Sequence, residues 1–306
     1  MQSAHSFKST LLGSALGLGL WLGACAPPVP SEESPAELEA PQPPTAETDS
    51  SLTLSQVLAA QSDAVQARYD ARNPQATLEF FGIEPGMTVI EALPGGGWYS
   101  KILLAYLGPE GTLIGGQYPD TLWPLFGFGE AWTETRISGT QNWPVQAAEW
   151  GIENRAQIAS HFLTDLPDGT ADAVLFIRAL HNLNRFNAEG GYMDATLAEA
   201  FAALKPGGIV GVVQHSAPET HSDTWANGSN GYLKTNQVVS AFEAAGFMFV
   251  EESGINANPA DMPTEDEFVW RLPPSLNGTE EGTAERAAME AIGESNRMTL
   301  IFRKPE

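Results

Sequence analysis

Two hydrophobic rhythms alternate along the chain beyond residue 50. Short apolar runs bounded by glycine, proline or charge read as buried strands over 87–92, Thr112–Gly116, Gln157–Leu163, Ala173–Leu180, Ile209–Gln214, Phe247–Glu251 and Met298–Arg303. Between them, apolar residues recur at helical spacing. This happens over 54–69 and 74–81, and at Tyr99, Ile102, Leu103, Tyr106 and Leu107. It recurs through Tyr192–Leu204, where Met193, Leu197, Phe201 and Leu204 share a face, and in Gln237–Ala245, which stops at Gly246. Continuous apolar strands alternating with amphipathic helices predict an α/β domain: a mostly parallel sheet covered on both faces, with an antiparallel last strand.

The sharpest feature is Met87–Leu107, MTVIEALPGGGWYSKILLAYL. An apolar strand end, Val89-Ile90, is followed by Glu91, a proline, Gly95-Gly96-Gly97, and then a helix. Such a corner aims free backbone N–H groups and the positive end of a helix at one point, where a cofactor can sit. It is neither of the two common phosphate signatures. Ser100 stands where a dinucleotide fingerprint needs its third glycine, and no Gly-Lys-Ser/Thr follows. A tight turn without a ligand is the alternative.

Residues 1–24 read as an export signal, with Lys8 before the apolar run Leu11–Gly23, and the run ends in Leu-Gly-Ala-Cys. This ending resembles a lipoprotein processing site and makes Cys25 the expected lipid acceptor. Ala26 after it favours the outer membrane, on its periplasmic side. An ordinary signal peptide with a chance cysteine is the alternative. Cys25 is the only cysteine, so the chain has no internal disulfide and no thiol chemistry. The proline- and acid-rich residues 25–50 predict a disordered tether, leaving 51–306 as one domain. With 38 acidic against 15 basic residues, the net charge of −23 argues against a nucleic-acid partner.

The glycine corner resembles motif I of class I S-adenosylmethionine-dependent methyltransferases. Together, PGGGWYS, RALHN, INANP, WRLPPSL and GESNRMTL resemble a bacterial family of predicted exported methyltransferases. The resemblance covers the whole of 51–306. It implies a Rossmann-like class I methyltransferase fold with seven strands in the order 3-2-1-4-5-7-6. It implies S-adenosylmethionine as cofactor, held by Glu91, Pro94, Gly95, Gly96, Gly97, Trp98, Tyr99 and, at the end of the second strand, Gln117. Two positions depart from the pattern: Leu93 replaces the loop's first glycine, and Gln117 replaces a carboxylate that would accept both ribose hydroxyls. Ser160, His161 and Asp165 are all candidates for the adenine contact.

Candidate chemistry gathers near the fourth strand. Arg178, in an apolar run, needs a partner if buried, and Glu91 is the nearest foreseeable carboxylate. Arg178 could instead hold a carboxylate of cofactor or substrate. His181 is the candidate general base, with Arg178 and Asn182 orienting the acceptor and His215 at the same edge. Hydrogen-bonded structural histidines are the alternative. A trio of His181, His215 and His221 matches no standard metal spacing, so no metal site is assigned. The aromatic segment 118–150 (Trp123, Phe126, Phe128, Trp132, Trp143, Trp150) reads as a lid or an apolar substrate pocket, or else a subsidiary core. Residues 253–297 read as a second, irregular insertion. These features together predict a lipid-anchored methyltransferase acting on a small, apolar acceptor. Two other readings stay open: a catalytically silent ligand-binding lipoprotein of the same fold, and an enzyme of another type using the histidine edge.

Overall fold

A computed structural model describes residues 52–306; the expected signal, Cys25 and the tether lie outside them. Seven strands form one sheet in the order β3-β2-β1-β4-β5-β7-β6. They are β1 Thr88–Ala92, β2 Thr112–Gln117, β3 Gln157–Phe162, β4 Ala171–Ile177, β5 Leu204–His215, β6 Met248–Ser253 and β7 Arg297–Arg303. β1 through β5 pair in parallel, while β7 runs antiparallel to both β5 and β6. This is the Rossmann-like arrangement of class I methyltransferases, as the sequence leads one to expect.

The pleat sorts the strand side chains into two cores. Ile90, Ile114, Val174 and Phe176 face helices Leu180–Arg185, Tyr192–Ala203 and Thr235–Ala244. Their neighbours Val89, Leu113, Ala173 and Leu175 face helices Leu54–Ala59, Pro74–Phe80, Trp98–Leu107 and Glu130–Ala148. Both faces are therefore covered, which explains why β1 and β4 read as unbroken apolar runs.

Several elements differ from the sequence reading: helix Ala284–Ile292 lies inside the stretch 253–297 that reads as irregular, and β5 starts at Leu204 rather than Ile209. The stretch 54–69 is not one helix but breaks after Ala59 and again at Arg68, leaving three short pieces. β4 stops at Ile177, and Arg178 turns the chain through a left-handed conformation (φ +57°). Leu180 then opens a new helix, so His181 and Asn182 ride on a helix rather than at a strand end. Residues 118–150 are regular: a 3₁₀ turn, Asp120–Phe126, leads into a 19-residue helix, Glu130–Ala148.

Candidate functional site

The carboxyl ends of parallel strands leave a crevice where the chain direction diverges, and here a cavity of about 630 Å³ opens there. Leu93 and Gly95 from the corner after β1 reach it, as do Gln117 at the end of β2 and His181 and Asn182 on the helix after β4. Aromatic residues of the segment after β2 form its far wall, joined by Arg136, Arg185, Trp270 and Asn277. Among the described residues no aspartate or glutamate lines it.

The corner itself is built on left-handed backbone. Leu93, at the position of the usual first glycine, has φ +49°, a conformation costly for a branched side chain. Its amide is secured by the Gly116 carbonyl at 2.6 Å. Gly97 has φ +74°, and a Cβ there would lie 2.0 Å from the Trp150 ring, so glycine is required twice over. Around Gly96, in contrast, no protein atom lies within 4 Å of an added Cβ. The corner is packed behind and open in front.

Of the catalytic and cofactor-binding candidates, Gly95, Gln117, His181 and Asn182 reach the cavity, while Glu91, Pro94, Gly96, Gly97, Trp98, Tyr99, Arg178 and His215 do not line it. Glu91 lies on the same side of the sheet as Val89, beneath helix Trp98–Leu107. It accepts a hydrogen bond from Ser100 Oγ in that helix's first turn. Burial pushes its carboxyl up to about 7, against the opposing pull of Ser100 and the field of Arg178. The expected Glu91–Arg178 ion pair is absent: Arg178 makes no ion pair within 4 Å among the described residues. Trp98 and Tyr99 are also corrected. Their side chains leave the corner for the N-terminal pieces, Trp98 Nε1 donating to the Val65 carbonyl (3.2 Å) and Tyr99 to that of Arg72 (3.2 Å). Arg72 also covers the Trp98 ring at 4.6 Å. Pro94 and Gly96 belong to the corner without lining the cavity.

The two histidines divide their roles. His215 ends β5, and its Nδ1 lies 2.5 Å from Ser295 Oγ. Burial, then the charges of His181, Arg178, Arg297 and Arg72, hold it well below its ordinary value. It is a structural residue outside the cavity. His181 is held from behind by Gln214, with Nδ1 3.3 Å from Oε1. The Gln214 amide nitrogen donates to the Gly231 carbonyl at 2.9 Å. The oxygen must therefore face His181, and the imidazole must donate through Nδ1. That leaves Nε2 as the unprotonated nitrogen, with no hydrogen bond to the described residues. Burial lowers His181 to about 4, with Arg178 and Arg185 adding to the effect and Gln214 opposing it. The ring is neutral at physiological pH. The His181 and His215 rings are 5.6 Å apart, while His221 packs on Trp225. Among the described residues no three His, Cys, Asp or Glu side chains are grouped to hold a metal.

Four polar atoms of cavity-lining residues are buried without a partner: Gln117 Nε2, Trp123 Nε1, Trp143 Nε1 and Asn182 Oδ1. Leaving such groups unmade costs about 1–3 kcal/mol each, and four of the ten such atoms among the described residues belong to the lining of this one cavity, which makes it the first place to look for a ligand. Reading the sequence found the aromatic wall but missed Arg136, Arg185, Trp270 and Asn277. Arg185 had a signal, lying four residues after His181 and so on the same helix face. Trp270 opens the WRLPPSL motif, whose place at the cavity the sequence does not show, and Asn277 had no signal; the fold brings both from the C-terminal insertion.

No family model matches the chain, and no curated protein sequence matches it either. Solved structures of similar fold include the [4+2]-cyclase SpnF (18% identity, 77% of this chain and 80% of that chain, TM-score 0.48). A SAM dependent methyltransferase from Aquifex aeolicus is similar over 67% and 94% of the two chains (16% identity, TM-score 0.44). So is geranyl diphosphate C-methyltransferase from Streptomyces coelicolor A3(2), over 78% and 82% (12% identity, TM-score 0.46). At these identities the likeness extends no further than the fold.

Proposed function

We propose that the protein is an S-adenosylmethionine-dependent methyltransferase acting on a small acceptor, anchored in the cell envelope through Cys25. The observation that carries this reading is the unpartnered amide of Gln117. It is buried at the end of β2, beside a glycine corner whose front is open, in one cavity with a neutral histidine. These residues fit the cofactor in kind. The corner Leu93–Gly97 offers backbone to its amino-acid end, and Gln117 offers an amide to the ribose in place of the usual carboxylate. Bound there, the cofactor would supply an electrophilic methyl group.

The chain's own contribution is then positioning and a proton acceptor. His181 Nε2 takes the proton of an acceptor hydroxyl or amine. Gln214 fixes which nitrogen is free, and Asn182 is placed to orient the acceptor. A correctly held base is worth about 10²–10⁴ in rate. With its pKa lowered to about 4, His181 is unprotonated across the physiological range, but it gives less driving force for the transfer than a base poised near neutrality. Calorimetric titration of the protein with S-adenosylmethionine and S-adenosylhomocysteine tests the reading: saturable binding supports it and no heat at millimolar ligand removes it.

A second reading, binding without turnover, is favoured by one observation: among the described residues no carboxylate lines the cavity, and Glu91 is engaged by Ser100. Binding of the cofactor with no methyl transfer to any acceptor would select it.

A further inference from the structure

The acceptor's chemistry can be read from the wall opposite the glycine corner. Trp123, Phe126, Phe128 and Trp132 form a continuous aromatic cluster. Trp123 and Phe126 stack at 5.8 Å, Phe126 and Phe128 at 6.3 Å, and Trp132 packs on Phe128 at 4.9 Å. Two cations border this cluster. The Arg136 guanidinium lies 4.9 Å from the Trp132 ring, and that of Arg185 lies 5.6 Å from Phe126 and 4.7 Å from Phe186.

Neither arginine has an acidic partner within 4 Å among the described residues, although acids outnumber bases 38 to 15 in the chain. A surface that acidic would ordinarily supply counter-ions, and among the described residues none lines the cavity. The cavity mouth thus carries two cations in an anionic protein, Arg136 exposed and Arg185 half-buried, and such a pair draws small anions towards it. The unpartnered atoms point the same way. Three of the four are N–H donors, namely Gln117 Nε2, Trp123 Nε1 and Trp143 Nε1; each is closed off from solvent, so an acceptor atom in the cavity meets it once the side chain turns. The aromatic faces require a flat or apolar body.

We infer that the cavity binds a small aromatic carboxylate, its ring against the Trp123–Phe126–Trp132 wall and its charge between Arg136 and Arg185. Calling this molecule the methyl acceptor rests on the methyltransferase reading; the binding site does not. A carboxylate matches the planar fork of arginine better than a point charge would. The same fork would take a phosphate monoester, which the test separates.

The test is a tryptophan-fluorescence titration of the full-length protein without cofactor. The probes are 4-hydroxybenzoate, its neutral amide 4-hydroxybenzamide, the cation tyramine, and phenyl phosphate. Benzoate is expected to bind about tenfold more tightly than the amide, with tyramine weakest. The gap should close in the double variant Arg136→Met/Arg185→Met, while the amide's affinity, which reports an intact fold and wall, stays within about twofold. Should that variant fail to fold, raising the salt from about 20 to about 500 mM with the unaltered protein must narrow the gap instead. Amide or tyramine binding as tightly as benzoate overturns the inference, as do a gap that survives both changes and no binding by any probe. Phenyl phosphate clearly tighter than benzoate overturns the choice of carboxylate. Because no cofactor is present, benzoate binding with no S-adenosylhomocysteine binding would remove the methyltransferase reading and leave this site standing.

Discussion

Two regions of the molecule use the same ingredients, arginine, tryptophan and buried amide or carboxyl groups, to opposite ends. In the C-terminal insertion, Asp261 accepts from the Tyr232 hydroxyl (2.9 Å), Arg271 Nη2 (2.9 Å) and the Asn296 amide (2.9 Å). Arg271 reaches Glu267 through Nε (2.9 Å) and Tyr232 through Nη1 (3.1 Å). Trp225 stacks on Tyr232 at 5.3 Å and donates its indole N–H to the Glu267 carbonyl (3.2 Å). In the cavity, by contrast, two arginines have no acid, and two indoles and an amide have no acceptor. A polar group closed on its neighbours holds the fold; one buried without a partner beside a cavity costs stability that a ligand there can restore, although Asn256 Oδ1 in the insertion lacks a partner too. The insertion that had no chemistry in the sequence is therefore a clamp. INANP and GESNRMTL are the two halves of its seam, with Asn258 Nδ2 donating to the Ile292 carbonyl (2.8 Å) and the Glu294 carbonyl (2.6 Å).

The contrast can be broken most forcefully at Asp261. Asp261→Ala removes a buried carboxylate from Arg271, Tyr232 and the Asn296 backbone amide, leaving Arg271 with Glu267 alone as an acid, and should cost about 3–5 kcal/mol of stability, read by denaturant unfolding. A loss below about 1 kcal/mol would show that the clamp is not closed in solution.

The next effect is at Glu91, where burial raises the folded-state pKa to about 7 from an ordinary 4.5. The folded state binds the extra proton, so this group's contribution is complete below pH 4.5 and is lost as pH rises through 7. Glu91→Gln keeps an acceptor for Ser100 and removes the titration. It should therefore stabilise the protein at pH 8 by about 3 kcal/mol and change little at pH 4.5. Equal effects at both pH values would contradict the burial argument.

The smallest effect is at His181. Its ring should titrate near pH 4 by nitrogen chemical shift, with the proton on Nδ1 while neutral. Gln214→Leu should move that midpoint lower still, because the hydrogen bond to Gln214 raises it. A lowered histidine pKa also means that stability falls as pH drops from 6.5 towards 4, since the unfolded state takes up the proton first.

How much of this was legible beforehand depended on range. β1, β4 and the glycine corner are local: runs such as Val89-Ile90 and Ala173–Ile177, and three successive glycines, carry their own instructions. The aromatic wall was visible as a composition, though not as helix Glu130–Ala148. The Glu91–Arg178 pairing failed because neighbouring strands do not fix side-chain contacts: Arg178 acts on Glu91 only through its field, and the carboxyl takes Ser100 instead. Pleat parity sends Glu91 under the helix that carries Ser100, only nine residues on. Trp98 and Tyr99 looked like part of the corner because they follow it in sequence, but the helix turns them to its far side. Arg185, Trp270 and Asn277 entered the site through topology, which no spacing displays.

The central claim is that the unpartnered groups around the glycine corner await an adenosyl ligand. Titrating the full-length protein with S-adenosylhomocysteine in a calorimeter, beside a Gln117→Leu variant, tests it most directly. The account predicts saturable binding by the native protein and a loss of about tenfold or more in the variant, whose fold is no less stable. Equal heats from the two proteins, or none from either at millimolar ligand, would contradict it.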